Sequence, residues 1–170
     1  MSDVDVDLPL DRRRWLLHVA SGALVAMLSP MPAQANLLDY AERPVREFLK
    51  LHFAGSRQFT ASGLDKKERL LTRRFRLGLY KYFERARTSA TPLPLVVDPF
   101  TGSQGATEYS VGDAKVRAEK AWVPVTFSDG ERTWTITYLL RDDQERNDDR
   151  WRIDDIEDRR GMRLSEVLRR

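Results

Sequence analysis

Cysteine is absent from the 170 residues, which excludes disulfides, thiolate metal ligands and a thiol nucleophile. Histidine is scarce: there are two, His18 and His52. Zinc draws three or four N, S or O ligands, so so few imidazoles argue against a zinc site. No Gly-x-Ser-x-Gly, Ser-x-x-Lys or glycine-rich phosphate loop occurs. The sequence therefore assigns no catalytic residue, no cofactor and no metal. Asp142, Asp143, Glu145, Asp148 and Asp149 lack Asp-x-Asp-x-Asp spacing and a central glycine, and arginines are interleaved. That run fits a solvated hairpin tip better than a calcium loop. A long hydrophobic run is missing too. Trp15 to Leu28 covers about 14 residues, short of the roughly 20 that cross a bilayer as a helix.

What is present first is an export address. Arg12-Arg13-Arg14 precedes the apolar run, which ends in Ser29-Pro30-Met31-Pro32 and then Ala33-Gln34-Ala35. A charged start, an apolar middle and a small-x-small site form the layout of a secretory signal peptide. Residues 1–35 are expected to be that leader and 36–170 a single domain, working in the bacterial periplasm with no stable membrane anchor after cleavage. Arg12-Arg13, one variable residue, then Trp15-Leu16 resembles the twin-arginine motif, although Asp11 replaces the usual Ser or Thr. Without cysteine there is no lipoprotein anchor. About 135 residues remain, enough for one domain that buries roughly two thirds of its unfolded surface. Losing three arginines and four aspartates moves the formal charge from +3 to +4. Neither that mild charge nor the expected location points to nucleic acid.

Along the mature chain the period changes once. Leu37 to Phe53 carries Leu38, Val45, Phe48, Leu49 and Phe53 at helical spacing, with a well-formed helix expected from Pro44, since proline suits a first turn. Asp65 and Glu68 resemble a capping box for a second helix reaching about Arg87. From Pro92 the period falls to two. Ala114, Val116 and Ala118 alternate with charges, and Ala121, Val123, Val125 and Phe127 form one face. Pro124 predicts an edge or a bulge there. Asp129-Gly130 signals a hairpin, followed by a strand over Thr133 to Leu140, another over Trp151 to Ile156, and a closing helix over 164–168. Helices followed by hairpins predict an α+β fold, with N-terminal helices packed on an antiparallel sheet.

Val97-Asp98-Pro99-Phe100, Ser103-Gln104, the strand Ala121-Trp122-Val123-Pro124-Val125, Trp151-Arg152-Ile153-Asp154-Asp155-Ile156 and a terminal Leu164 turn together resemble the exported bacterial domain-of-unknown-function family 3828, over roughly residues 44–168. The resemblance implies a cone-shaped α+β fold similar to nuclear transport factor 2, with a curved sheet curling around helices to leave a pocket. It implies no reaction. Related exported proteins act as immunity proteins against secreted cell-wall amidases, which gives one role to expect. Gly105 stands where that family carries an acidic residue after Gln104.

Several residues are candidates, each with a plainer reading beside it. His52 is a candidate proton shuttle as the histidine of the mature chain, yet its setting beside Leu51 and Phe53 suits a packed or capping imidazole. Asp154 and Asp155 fall on opposite faces of a regular strand. One of them, Asp155, is a candidate pocket group, while pairing with an arginine is the plainer role. Asp98 suits a turn in which its carboxylate bonds backbone amides, and Gln104 suits a buried amide. Trp122, Trp134, Tyr138 and Trp151 fit either a cavity wall or a core. Lys66, Lys67, Arg69, Arg73, Arg74, Arg76, Lys81, Arg85 and Arg87 crowd the second helix and offer a surface for an acidic partner. The expected function is an exported, non-catalytic binding or interaction domain for a protein or cell-envelope component, an immunity protein being the sharper version. The alternative is a small pocket enzyme that uses an acidic residue or His52.

Overall fold

A computed structural model describes residues 32–55, 59–89, 97–143 and 151–169, with side chains from residue 41 onward. The leader residues Arg12 and Arg13 lie outside the described residues, as does most of the acidic run 142–149. Ala33 and Ala35 lie in the first helix, α1 (Pro32–Ala54).

Helix α1 carries Pro44 in its interior rather than at its start, against expectation. A proline there removes one backbone hydrogen bond. The helix persists because Ala41, Pro44, Val45, Phe48, Leu49 and His52 share one buried stripe. Tertiary packing outweighs local propensity here. The expected capping box is also absent. Asp65 closes a short helix, α2 (Ala61–Asp65), capped by the Thr60 hydroxyl accepting from the Gly63 amide at 3.2 Å. A 3₁₀ turn (Glu68–Leu70) follows, and α3 (Arg73–Thr88) starts only after Thr72, whose hydroxyl accepts from the Phe75 amide. Leu64, Lys67, Leu70 and Leu71 of this interrupted segment are all buried.

Five strands form one antiparallel sheet: β1 (Glu108–Val111), β2 (Lys115–Arg117), β3 (Lys120–Ser128), β4 (Thr133–Asp142) and β5 (Trp151–Glu157). The order is β1-β3-β4-β5, with β2 also pairing β3. The sheet closes with α4 (Leu164–Val167). Pro124 therefore sits in an interior strand, not at an edge. Its carbonyl accepts from the Gly112 amide at 2.9 Å, and its missing N–H faces the same side, where β1 has ended and β2 has not begun. The neighbour is interrupted instead of the strand. Gly112 fits this close approach, since a Cβ there would meet Pro124 Cγ at 3.1 Å.

Ala121, Val123, Val125 and Phe127 of β3, with Ile136, Tyr138 and Leu140 of β4, bury one sheet face. Val45, Phe48 and Leu49 of α1 and Phe75, Leu79 and Tyr82 of α3 are buried in the same core. Each full burial of such a side chain contributes roughly 1.5–3 kcal/mol, so this layer contact dominates the stability of the fold. The other face carries Thr126 and Thr135, whose hydroxyls meet at 3.0 Å. The architecture is α+β. Among the described residues, no helix is long and apolar enough to cross a membrane.

Candidate functional site

Two features stand out, one shut and one open. The shut one is a chain of three ionisable groups. His52, on the last turn of α1, is completely enclosed by its neighbours. Its Nε2 lies 2.7 Å from Asp98 Oδ2, and its Nδ1 lies 3.0 Å from Lys67 Nζ. An ammonium only donates and a carboxylate only accepts. Those partners set the neutral imidazole with its proton on Nε2. The Asp98 carboxylate also accepts from the Phe100 amide at 3.0 Å, the turn geometry its Asp-Pro sequence suggests, and lies 3.1 Å from the Thr101 hydroxyl. Lys67 Nζ sits 5.1 and 5.2 Å from the ring centres of Phe48 and Phe100, within cation–π range.

Burial pulls the Lys67 pKa from 10.5 down to about 8, with the Asp98 charge opposing. Lys67, His52 and Asp98 are 3%, 1% and 4% exposed, so in this state no substrate reaches them. Chemically the chain neutralises its own charges. It ties the end of α1, the α2–α3 connection and the 97–101 loop to one another.

The open feature follows from strand lengths. β5 ends at Glu157, opposite Thr137, while β4 begins four residues earlier at Thr133. Beyond Glu157 the chain leaves the ladder in a turn over residues 158–162, pinned by Asp158 Oδ1 accepting from the Arg160 and Met162 amides at 2.8 and 2.9 Å. Gly161 supplies the positive φ of 79° that this turn needs. A cleft of about 510 Å³ lies beside the overhanging part of β4. Trp134, Ile136, Ile156, Leu164 and Val167 supply its apolar surface, the 97–103 loop another wall, and Arg132, Arg159 and Arg160 its exposed rim.

Of Trp122, Trp134, Tyr138, Asp155, Arg73 and Arg74, only Trp134 lines this cleft. Its indole N–H donates to the Thr101 carbonyl at 2.7 Å. Tyr138 lies in the core, its hydroxyl donating to the Phe100 carbonyl at 2.8 Å, and burial raises its pKa well above 10.0. Trp122 is half-buried on the opposite sheet face, across from Leu139. Asp155 is buried, accepting from the Ser165 hydroxyl at 2.5 Å, the Ser165 amide and the Ile156 amide. It anchors α4 to β5 and does not line the cleft. Asp154 is the unpaired residue at a bulge in β5, so the strand is not regular there. Its carboxylate binds Arg74 at 2.7 Å and the Thr72 hydroxyl at 2.7 Å. Burial pushes Asp154 up, yet those two bonds hold its pKa below the usual carboxylate value.

Arg73 is exposed at the start of α3. The basic surface expected around it is largely spent within the domain. Arg69 binds Glu47, Arg76 binds Glu68, Arg87 binds Glu84, and Arg85 donates to the Leu168 carbonyl. Lys67 is not on that surface at all. Gln104 is exposed rather than buried as expected, and Asp98, Thr101 and Ser103 hold the loop. Sequence reasoning missed Lys67 because its burial depends on partners 15 and 31 positions away. It missed Arg159, Arg160 and Met162 because a cleft made by unequal strand lengths leaves no local pattern. Among the described residues, no group of three or more His, Cys, Asp or Glu is placed to hold a metal ion.

Compared with known proteins, the chain matches no family model, no curated protein and no solved structure.

Proposed function

We propose that this protein is an exported, periplasmic binding domain without catalytic activity, and that its contact site is the cleft beside the overhang of β4. One observation carries this reading. The cleft joins an apolar floor to an arginine rim, while the histidine-centred chain is shut in the core. Pockets of this size and lining hold ligands by apolar burial with a few orienting polar groups. The fold is proposed to be the cone-shaped kind similar to nuclear transport factor 2 and to the exported domain-of-unknown-function family 3828. Helices laid on one face of an antiparallel sheet support that likeness. An immunity role against a secreted toxin is the sharper form of the same reading, with the cleft seating an apolar projection of the toxin.

The competing reading, a pocket enzyme, has one observation in its favour. Asp98 also borders a smaller cleft of about 310 Å³ with Phe59, Tyr82 and Phe83. That reading requires a substrate to reach His52 past Asp98. The test is to purify the wild-type protein and Val167→Trp from the periplasm and compare what accompanies each. Wild type is expected to carry a stoichiometric ligand or partner that Val167→Trp lacks, with both folded by circular dichroism and both beginning near Asn36. Undiminished binding by Val167→Trp, or loss of binding on His52→Asn in a folded protein, would favour the enzyme reading.

A further inference from the structure

We infer that the cleft takes a single-chain anionic amphiphile, with an aliphatic body on the apolar floor and one carboxylate or phosphate head at the arginine rim. The inference rests on the cleft being the binding site, and it adds the chemical class of the occupant.

Three observations lead to it. The first is the floor. Half-buried Trp134, Met162 and Val167 and exposed Val97 line the cleft, backed by the buried Ile136, Ile156 and Leu164. Aliphatic and aromatic surface of this kind favours a hydrocarbon guest, whose apolar area it removes from water.

The second is charge and where it sits. β5 runs antiparallel to β4, so the turn after β5 and the hairpin before β4 lie at the same end of the sheet. Arg159 and Arg160 come from the first turn and Arg132 from the second. Two aspartates also line the cleft, Asp129 and Asp158, and both bond within their own turns. Asp129 accepts from the Glu131 and Arg132 amides and from the Arg132 guanidinium at 2.9 Å. Asp158 accepts from the Arg160 and Met162 amides. Three arginines against two aspartates leave a net positive rim. Among the described residues, Arg159 and Arg160 have no ion-pair partner. An anionic head gains charge-assisted hydrogen bonds there, whereas a cationic head meets like charge and a neutral one gains little.

The third is size. At roughly 30 Å³ per water-sized group, about 510 Å³ accommodates on the order of 17 non-hydrogen atoms. One chain of about a dozen carbons with a small head fits that space.

Isothermal titration of the exported protein with dodecanoate, dodecyl phosphate, dodecanol and dodecyltrimethylammonium, each below its micelle concentration, tests the inference. The two anions are expected to bind one to one and to weaken as salt rises, with the neutral and cationic chains at least about tenfold weaker. Whichever anion binds better identifies the head as carboxylate or phosphate. Arg159→Gln with Arg160→Gln should weaken the anions roughly three- to tenfold, as two exposed ion pairs allow, and leave dodecanol unchanged. Val167→Trp should abolish all binding. If dodecanol binds as well as dodecanoate, or the double glutamine variant changes nothing, the anionic head is wrong although the cleft stands. If no amphiphile binds, or only a short peptide does, while Val167→Trp still strips the natural partner, the inference falls and the binding reading survives. If amphiphiles bind equally to Val167→Trp, both fail.

Discussion

The buried Lys67–His52–Asp98 chain and the cleft beside β4 both concentrate polar groups, and they differ in whether those groups are finished. In the core, each of the three residues has a partner within hydrogen-bond distance, and the ammonium lies over two aromatic rings. At the cleft, Asp129 and Asp158 are engaged in their turns while Arg159 and Arg160 project from a rim above apolar surface. A complete network holds a structure together, because breaking it strands a charge. An incomplete one at an open surface is where an outside group gains most. The contrast teaches that the residue type with the most chemical promise, the histidine, is not automatically the site.

The comparison breaks most visibly at Asp98. Asp98→Ala leaves Lys67 and His52 buried without their carboxylate, which costs on the order of 3–5 kcal/mol. Urea denaturation would read this as a large fall in midpoint. A change below about 1 kcal/mol would mean that the chain behaves like a surface pair.

Proton titration gives the next effect. Lys67 has a pKa of about 8 in the fold against an ordinary 10.5, so the unfolded chain holds this proton more tightly. Between those values the unfolded state binds more protons than the native state, and stability rises with pH. The rise amounts to at most about 3 kcal/mol, at 1.36 kcal/mol per pKa unit, and this group adds no slope below that window. Denaturation midpoints measured from pH 7 to 9, below the titration of the tyrosines, should climb in the wild type. Lys67→Met should remove that climb.

Thr72 sharpens the picture outside both regions. Its hydroxyl caps α3 and donates to Asp154, so Thr72→Ala should cost about 1–2 kcal/mol without altering ligand binding. Smallest is the β2–β3 turn, at the sheet end away from the cleft. Ala118 holds a positive φ of 53° there, a conformation that disfavours a Cβ. Ala118→Gly should stabilise the domain by about 0.5–1 kcal/mol, read as a rise in Tm with unchanged binding.

Much of the sheet was legible in the sequence, because alternation at Ala121–Phe127 and Trp134–Leu140 places one face in the core whatever the partners are. The Asp129-Gly130 turn was equally local: Gly130 adopts φ 92°. β1 was not foreseen: Glu108-Tyr109-Ser110-Val111 does alternate, with Tyr109 and Val111 half-buried, but over only four residues. Pro44 and the Asp65–Glu68 pair misled because propensity yielded to the burial of the α1 stripe and of Lys67. The site was the least readable part. Trp134 was singled out for its ring, but the cleft beside it exists only because β5 stops at Glu157 and β4 starts at Thr133.

A single titration weighs the two regions directly. Nitrogen-resolved NMR of the labelled protein follows the Trp134 indole N–H, bonded to the Thr101 carbonyl at the cleft wall, and the His52 ring nitrogens in the core. On adding dodecanoate, the Trp134 signal should shift and saturate while the His52 signals keep the neutral pattern with the proton on Nε2. Movement of His52 with Trp134 unmoved would contradict the account, since it would put the ligand at the buried chain.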